Sequence, residues 1–168
     1  HIAKTLGENA VFSFDMGGTT AKICLIDNGE PLLSRSFEVD RTHRFMKGSG
    51  MPVKIPVIEM VEIGAGGGSI AHADKLGRIR VGPQSAGANP GPACYGQGGK
   101  AATITDANLM LGRLDPLNFA GGSIRLDTNA ASQAIEKAIS EPIGLSANEA
   151  AKGIIEIVDE HMSAAARV

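Results

Sequence analysis

The sequence predicts an α/β fold in which antiparallel strands come first and helices follow. Short apolar runs joined by tight turns fill residues 11–39, glycine clusters beside strand-like segments, and apolar residues recur at helical spacing from residue 131 onward. Residues 11–14 (Val-Phe-Ser-Phe) alternate as a strand does. The turn Asp15-Met16-Gly17-Gly18-Thr19-Thr20 follows, and residues 22–26 read as a second, buried strand. Asp27-Asn28-Gly29-Glu30 is a turn, after which residues 32–39 read as a third strand. Three strands this close together must be antiparallel neighbours, because a parallel crossover needs about a dozen residues.

Residues 41–56, polar and ending at Pro52 and Pro56, are expected to form a loop or short flap. Residues 57–63 read as a strand ending in Gly64-Ala65-Gly66-Gly67-Gly68-Ser69. A hairpin is expected from residues 69–73 and 78–81 around Asp74-Lys75-Leu76-Gly77. Residues 83–100, rich in Gly and Pro, read as a loop with little regular structure. Thr105 or Asp106 can cap a short helix through Leu111, stopped by Gly112. Ala131, Ala134, Ile135, Ala138 and Ile139 lie on one helical face, broken at Pro142 and Gly144. Ser146-Ala147-Asn148-Glu149 is a capping box for a last helix with the stripe Ala150, Ile154, Ile157, Val158 and Met162. The chain opens without Met and closes without a C-cap signal, so both ends are expected to continue in something longer.

Composition narrows the function. A chain of 168 residues can bury a core. Its net charge of −2, with one Tyr and no Trp, gives no broad basic face for nucleic acid. The longest apolar runs, such as residues 23–26, fall far short of a bilayer span, and no signal-peptide pattern opens the chain. Cys24 and Cys94 make no disulfide framework, which leans towards a reducing, cytoplasmic setting. His1, His43, His72 and His161 lack metal-ligand spacing, so zinc is not expected.

The hexapeptide at residues 15–20 carries the strongest chemical signal. Phosphate needs backbone N–H groups unobstructed by side chains; Gly17 and Gly18 remove the obstruction, and Thr19 and Thr20 add hydroxyl donors. Asp15 at the strand end can hold a hydrated Mg²⁺. The loop joins two strands, whereas the Walker and dinucleotide patterns require a following helix. A strand–turn–strand clamp of this kind is how actin-like and sugar-kinase ATPases hold ATP. A plain hairpin is the structural alternative. Gly66, Gly67, Gly68 and Ser69 read as a wall of a cleft, or else as a tight turn against which another element packs closely. Glu59 and Glu62 lie three apart and point to opposite strand faces; Glu62, nearer the loop, is the catalytic candidate, and solvation is the alternative. Thr105, Asp106 and Asn108 form a polar cluster in which Asp106 is a candidate general base or metal ligand. Cys94 has no His near it in sequence and reads as a small buried residue.

Three ordered blocks resemble the hydantoinase A/oxoprolinase family: DMGGTTAK, IPVIEMVEIGAGGGSIA, and VGPQSAGANPGPACYG followed by TITDANLMLGRLDPLNFAGG. With their linking segments they cover roughly residues 10 to 127. The resemblance implies an actin-like ATPase fold, of which this chain would be a ribonuclease-H-like half with a mixed sheet and packed helices. It implies a single domain over residues 1–168, with a phosphate loop between strands at 10–40, glycine-rich loops at 57–100 and a helical part at 104–168. It also implies ATP and Mg²⁺ as cofactors, a B-type partner subunit or domain, an oligomeric parent, and opening of small cyclic amides such as hydantoins or oxoproline. A ketone carboxylase subunit and a nucleotide-binding or assembly module without turnover are the alternatives. Only one of the two phosphate loops of such ATPases is present, and the adenosine loop is expected beyond Val168, so this stretch is not expected to turn over alone. Many family members carry Asp soon after the Thr pair, where this chain has Ala21-Lys22; Lys22 either balances phosphate charge or faces solvent.

Overall fold

A computed structural model describes residues 1–40, 42 and 48–167. Its contacts divide into two compact units, one formed by His1–Asp15 with Ala21–Ile63 and the other by Met16–Thr20 with Gly64–Val168.

In the first unit, α1 (Ile2–Leu6) precedes β1 (Ala10–Met16), which pairs with β2 (Ala21–Asp27). The expected turn after β2 places Asn28 and Gly29 at φ 49 and 74, the left-handed pair that a tight hairpin needs. The third strand departs from expectation. Instead of one strand over residues 32–39 there are two short pieces, β4 (Leu33–Ser34) and β5 (Phe37–Val39), preceded by β3 (Glu30–Pro31). Pro31 cannot donate to a ladder, and the Ser34 hydroxyl accepts from Ser36 N and donates to Ser36 O, turning the chain. β5 pairs with β6 (Met51–Val53), so part of the expected flap is a strand. Of that flap, residues 41 and 43–47 lie outside the described residues.

The strand expected over residues 57–63 is likewise divided. β7 (Val57–Ile58) pairs with β4, Glu59 N donates to Leu32 O at 2.7 Å, and β8 (Val61–Ile63) joins β2. The β2–β8 register sets Ala21 opposite Ile63, Lys22 opposite Glu62 and Ile23 opposite Val61. Every register described in the two units is antiparallel, so a parallel part of the expected mixed sheet is not among them.

The second unit begins with the expected hairpin, β9 (Ser69–Ala73) and β10 (Ile79–Ser85). Asp74 ties its turn: the carboxylate accepts from Leu76 N, Arg78 N, Arg78 Nε and Arg80 Nε at 2.9–3.1 Å. The Arg78 backbone bond leads in holding its pKa well below the usual carboxylate range. Residues 83–100 are more ordered than expected, since β10 continues to Ser85 and a 3₁₀ turn forms at Ala93–Tyr95.

Helix α2 (Ile104–Met110) is capped by Thr103, two residues before Thr105 and three before Asp106, the caps read from sequence. α3 (Thr128–Ile135) is capped by the Asp127 carboxylate and runs through a π turn, Glu136–Ser140, into α4 (Glu141–Ile143). Pro142 therefore does not end the helix. The wider π turn just before it accommodates the missing N–H and the ring, and Gly144, at φ 72, ends the run. α5 (Ala147–Ala166) opens with the predicted capping box. Its buried face is Ala150, Ala151, Ile154, Ile155 and Val158, whereas the expected Ile157 and Met162 are only half-buried. Gly153 explains the rotation, because a Cβ there would lie 2.7 Å from Ile79 Cδ1 and α5 sits directly on β10. With Ile135 and Ile139 these residues form the core, and Cys94, Leu109, Leu126 and Ala131 form a second cluster beside it. Among the described residues, no helix is long and apolar enough to cross a membrane.

Ser146→Ala tests the α5 cap. Removing the hydroxyl's bonds with Glu149 N and the Glu149 carboxylate, while the bond from the residue 146 N–H remains, is expected to cost about 1 kcal/mol in a urea melt at neutral pH. Those Ser146 bonds hold the Glu149 pKa down. A depressed carboxylate stabilises the fold above its unfolded pKa and loses that effect as pH falls through its folded value. The gap between variant and wild type should therefore narrow below the ordinary carboxylate range; a gap independent of pH would show that Glu149 contributes nothing through its charge.

Candidate functional site

Residues 16–20 and the glycine-rich run at 64–69 both belong to the second unit and are built as stacked layers. The outer layer is a four-residue turn closed by Gly17 N donating to Thr20 O at 2.9 Å. Gly17, Gly18 and Thr19 are exposed and Thr20 half-buried. Among the described residues, the N–H groups of Gly18, Thr19 and Thr20 meet no acceptor. Packing does not require the two glycines: a Cβ on Gly18 would have nothing within 4 Å, and one on Gly17 would make only ordinary contact with Thr20 O at 3.7 Å. Their lack of side chains leaves open donors on an unobstructed surface, which suits an anionic oxygen.

The glycines beneath serve a different purpose. Gly67 N donates to Gly17 O at 2.9 Å and Gly68 N to Gly18 O at 2.7 Å. A Cβ on Gly66 would lie 2.5 Å from Thr19 N, and one on Gly68 would lie 2.9 Å from Gly18 O and 2.8 Å from Ser85 Oγ. None of Gly66, Gly67 and Gly68 has a left-handed φ, so space rather than backbone conformation demands glycine here. Gly66, Gly68 and Ser69 are buried, and Ser69 Oγ accepts from Gly66 N at 2.9 Å. The structure thus brings Gly17, Gly18, Thr19 and Thr20 together with Gly66, Gly67, Gly68 and Ser69. The second group is a bed for the loop, and only Gly67 within it is partly exposed.

A third layer supports the bed. Thr105 N and Thr105 Oγ both donate to Gly67 O, each at 2.8 Å. Ala86 N donates to Gly68 O at 2.8 Å, and Ser85 Oγ to Gly18 O at 3.4 Å. Below this lies Asp106, fully buried, whose carboxylate accepts from Ala93 N, Cys94 N, Thr103 N and Thr103 Oγ at 2.7–3.3 Å. Four donors occupy that carboxylate, so the group read from sequence as a candidate base or metal ligand sits as a capping and loop-anchoring residue. Thr103 was the member missed, although the T-x-x-D spacing at 103–106 carries a capping-box signal. Cys94 is buried as expected; burial first, then the Asp106 charge, pushes its thiol pKa up, away from a reactive thiolate. Burial also raises the Tyr95 pKa.

Two site residues read from sequence belong to the first unit. Asp15 is exposed near the end of β1, and Glu62 is exposed on β8 opposite Lys22. Among the described residues, no group of three or more His, Cys, Asp or Glu is gathered as a metal cluster. An exposed carboxylate such as Asp15 has the chemistry to hold Mg²⁺, which takes one or two carboxylates and fills the rest of its shell with water or other oxygens.

The hydantoinase/oxoprolinase family matches this chain over residues 1–168. The chain belongs to that family. It is 45% identical over 161 residues to the caprolactamase subunit alpha of Pseudomonas jessenii, covering 96% of this chain and 22% of that protein. The crystal structure of the ATP-dependent caprolactamase from the same organism superimposes with a TM-score of 0.79 at 43% identity, over 99% of this chain and 23% of that one. A nucleotide-free acetone carboxylase structure gives a TM-score of 0.80 at 32% identity, over 95% of this chain and 21% of that one. The α/β class and the ribonuclease-H-like half that the resemblance implied stand with these matches. The chain spans about a quarter of the length of the curated relatives it matches.

In this hydantoinase/oxoprolinase chain the two glycine pairs should respond differently to alanine. Gly66→Ala drives a methyl into the Thr19 backbone and is expected to cost about 1–3 kcal/mol. Gly18→Ala projects into open space and should stay within about 0.5 kcal/mol of wild type. Asp106→Ala strands its four buried donors and should cost about 3 kcal/mol or more. Urea melts of the three variants check the order; equal losses for Gly18→Ala and Gly66→Ala would refute the division into presenting and supporting glycines.

Proposed function

We propose that the longer protein carrying this chain opens small cyclic amides in an ATP-dependent hydrolysis, and that this chain supplies one of its phosphate loops. The observation that carries the reading is the exposed turn at residues 17–20 with three open N–H donors, held on a glycine bed that leaves no side chain in the way. A caprolactam is a cyclic amide, and the relative named for acting on one is 45% identical here, against 32% for the acetone carboxylase structure. That difference favours ring opening over ketone carboxylation.

The chemistry has a physical rationale. Amide resonance makes such rings resist water, and ATP, when bound, supplies a phosphoryl group that activates the amide oxygen. The backbone N–H groups of Gly18, Thr19 and Thr20 would hold phosphate oxygens, and the Thr hydroxyls would add donors. Asp15 would hold Mg²⁺, whose charge offsets that of the phosphates. Gly66, Gly67, Gly68 and Ser69 would act through the loop they support. Asp106 would keep α2 and the 93–95 turn in place, and Glu62 remains the carboxylate proposed for proton transfer. A B-type partner subunit, an oligomeric parent and a cytoplasmic setting belong to the same proposal.

The test uses the longer protein with its B-type partner. Lactam, hydantoin and oxoproline are offered with and without ATP, and ketones are offered with ATP and bicarbonate. ATP-dependent release of an amino acid from a ring is expected; carboxylated ketone would overturn the ring-opening reading. Asp15→Ala should reduce ATP-coupled turnover at least 100-fold, on the order of what loss of a charge-stabilising group costs, with the melting temperature unchanged. Near-normal turnover with an unaltered Mg²⁺ requirement would make Asp15 only a turn residue.

A further inference from the structure

We infer that Thr105 is a positioning residue for phosphate binding, setting through Gly67 where the turn at residues 17–20 presents its N–H groups. The inference rests on that turn being the phosphate site. A peptide-to-peptide hydrogen-bond chain connects the two: Thr105 N and Oγ donate to Gly67 O, the N–H of that same peptide, Gly68 N, donates to Gly18 O, and the peptide of Gly18 O carries the open Thr19 N–H. The Gly67–Gly68 peptide is the junction, receiving at Gly67 O and donating from Gly68 N.

The Thr105 hydroxyl is not needed to start its own helix. Thr103 and Asp106 already cap α2 reciprocally. The hydroxyl instead occupies the second acceptor direction of a carbonyl already bonded by its own backbone N–H. One bond leaves that peptide plane free to tilt, and two at fixed directions hold it. The side chain is 6% exposed, so its hydroxyl must find a partner inside the protein. Its position is sterically defined as well, because a Cβ on Gly67 would lie 2.8 Å from Thr105 Oγ. Thr105 touches no ligand; it acts through the Gly67–Gly68 peptide and Gly18.

The close approach of residues 67 and 105 supplies a test that simple destabilisation does not mimic. In the longer protein with its partner, KM for ATP, kcat and melting temperature are measured for Thr105→Ala, Thr105→Ser, Gly67→Ala, Gly18→Ala and the double variant Thr105→Ala/Gly67→Ala. Thr105→Ala should raise KM for ATP roughly tenfold, the scale of one lost hydrogen bond, with a smaller change in kcat. Thr105→Ser restores the hydroxyl and should restore KM. Gly67→Ala displaces the hydroxyl and should raise KM similarly. The double variant should be no worse than Thr105→Ala, because the new methyl fills the vacated space. Additive losses, or a lowered melting temperature with KM unchanged, would reduce Thr105 to packing. Gly18→Ala separates the two readings. If it raises KM for ATP while Thr105→Ala does not, the inference alone falls; if it leaves KM unchanged, the turn is not the phosphate site and both fall.

Discussion

Two backbone hydrogen bonds, Gly67 N to Gly17 O and Gly68 N to Gly18 O, are the constraint on which the candidate site depends. They require two peptide segments to lie against each other at ladder distance with no side chain between them. That requirement removes Cβ from Gly66 and Gly68, which would otherwise meet Thr19 N and Gly18 O below 3 Å. It also directs the carbonyls of the turn inward, where they are consumed. What remains on the outside is the turn's N–H groups. A surface rich in donors therefore follows from how the acceptors are used, because each peptide that spends its C=O on the bed has only its N–H left to offer.

The same logic continues beneath the bed. Gly67 and Gly68 use their carbonyls on Thr105 and Ala86, and α2 is held in turn by Asp106. A buried carboxylate with four donors is costly to break and strongly directional. It ties the 93–95 turn, the α2 cap and, through Thr105, the glycine bed into one assembly. The conformational cost of a glycine-dense loop is offset here by bonding every layer to a helix terminus, rather than by burying side chains the loop lacks.

Much of this was legible because it is local. The strand–turn–strand arrangement at residues 10–27, the Asp74 hairpin and the Ser146 capping box rest on turn residues and spacings a few positions apart. The two parts of the loop assembly were each readable as glycine clusters, but not their mutual hydrogen bonding, since residues 17 and 67 meet only through tertiary contact. The division of residues 30–39 into three pieces was hidden for the same reason: a strand-like run does not reveal that its pieces pair with β2, β7 and β6 in turn. Asp106 illustrates a different ambiguity. A carboxylate in a polar cluster at a helix start fits both catalysis and capping, and only the count of donors around it distinguishes the two uses.

The contrast between the glycine pairs bears on how a phosphate loop can be recognised. Glycine is used either where a neighbour's backbone approaches or where nothing does. Gly66 and Gly68 are of the first kind, and packing accounts for them fully. Gly18 is of the second kind: it has no left-handed φ and nothing within 4 Å of its absent Cβ, so neither conformation nor packing accounts for it. A residue that incurs glycine's entropic cost without a structural return inside the chain has its reason outside the chain. Its neighbours in the same turn offer unbonded N–H groups, which narrows that reason to an acceptor. What the fold leaves unexplained at residues 17–20 therefore supports the proposed anion site there, and the family match at residues 1–168 is independent of it.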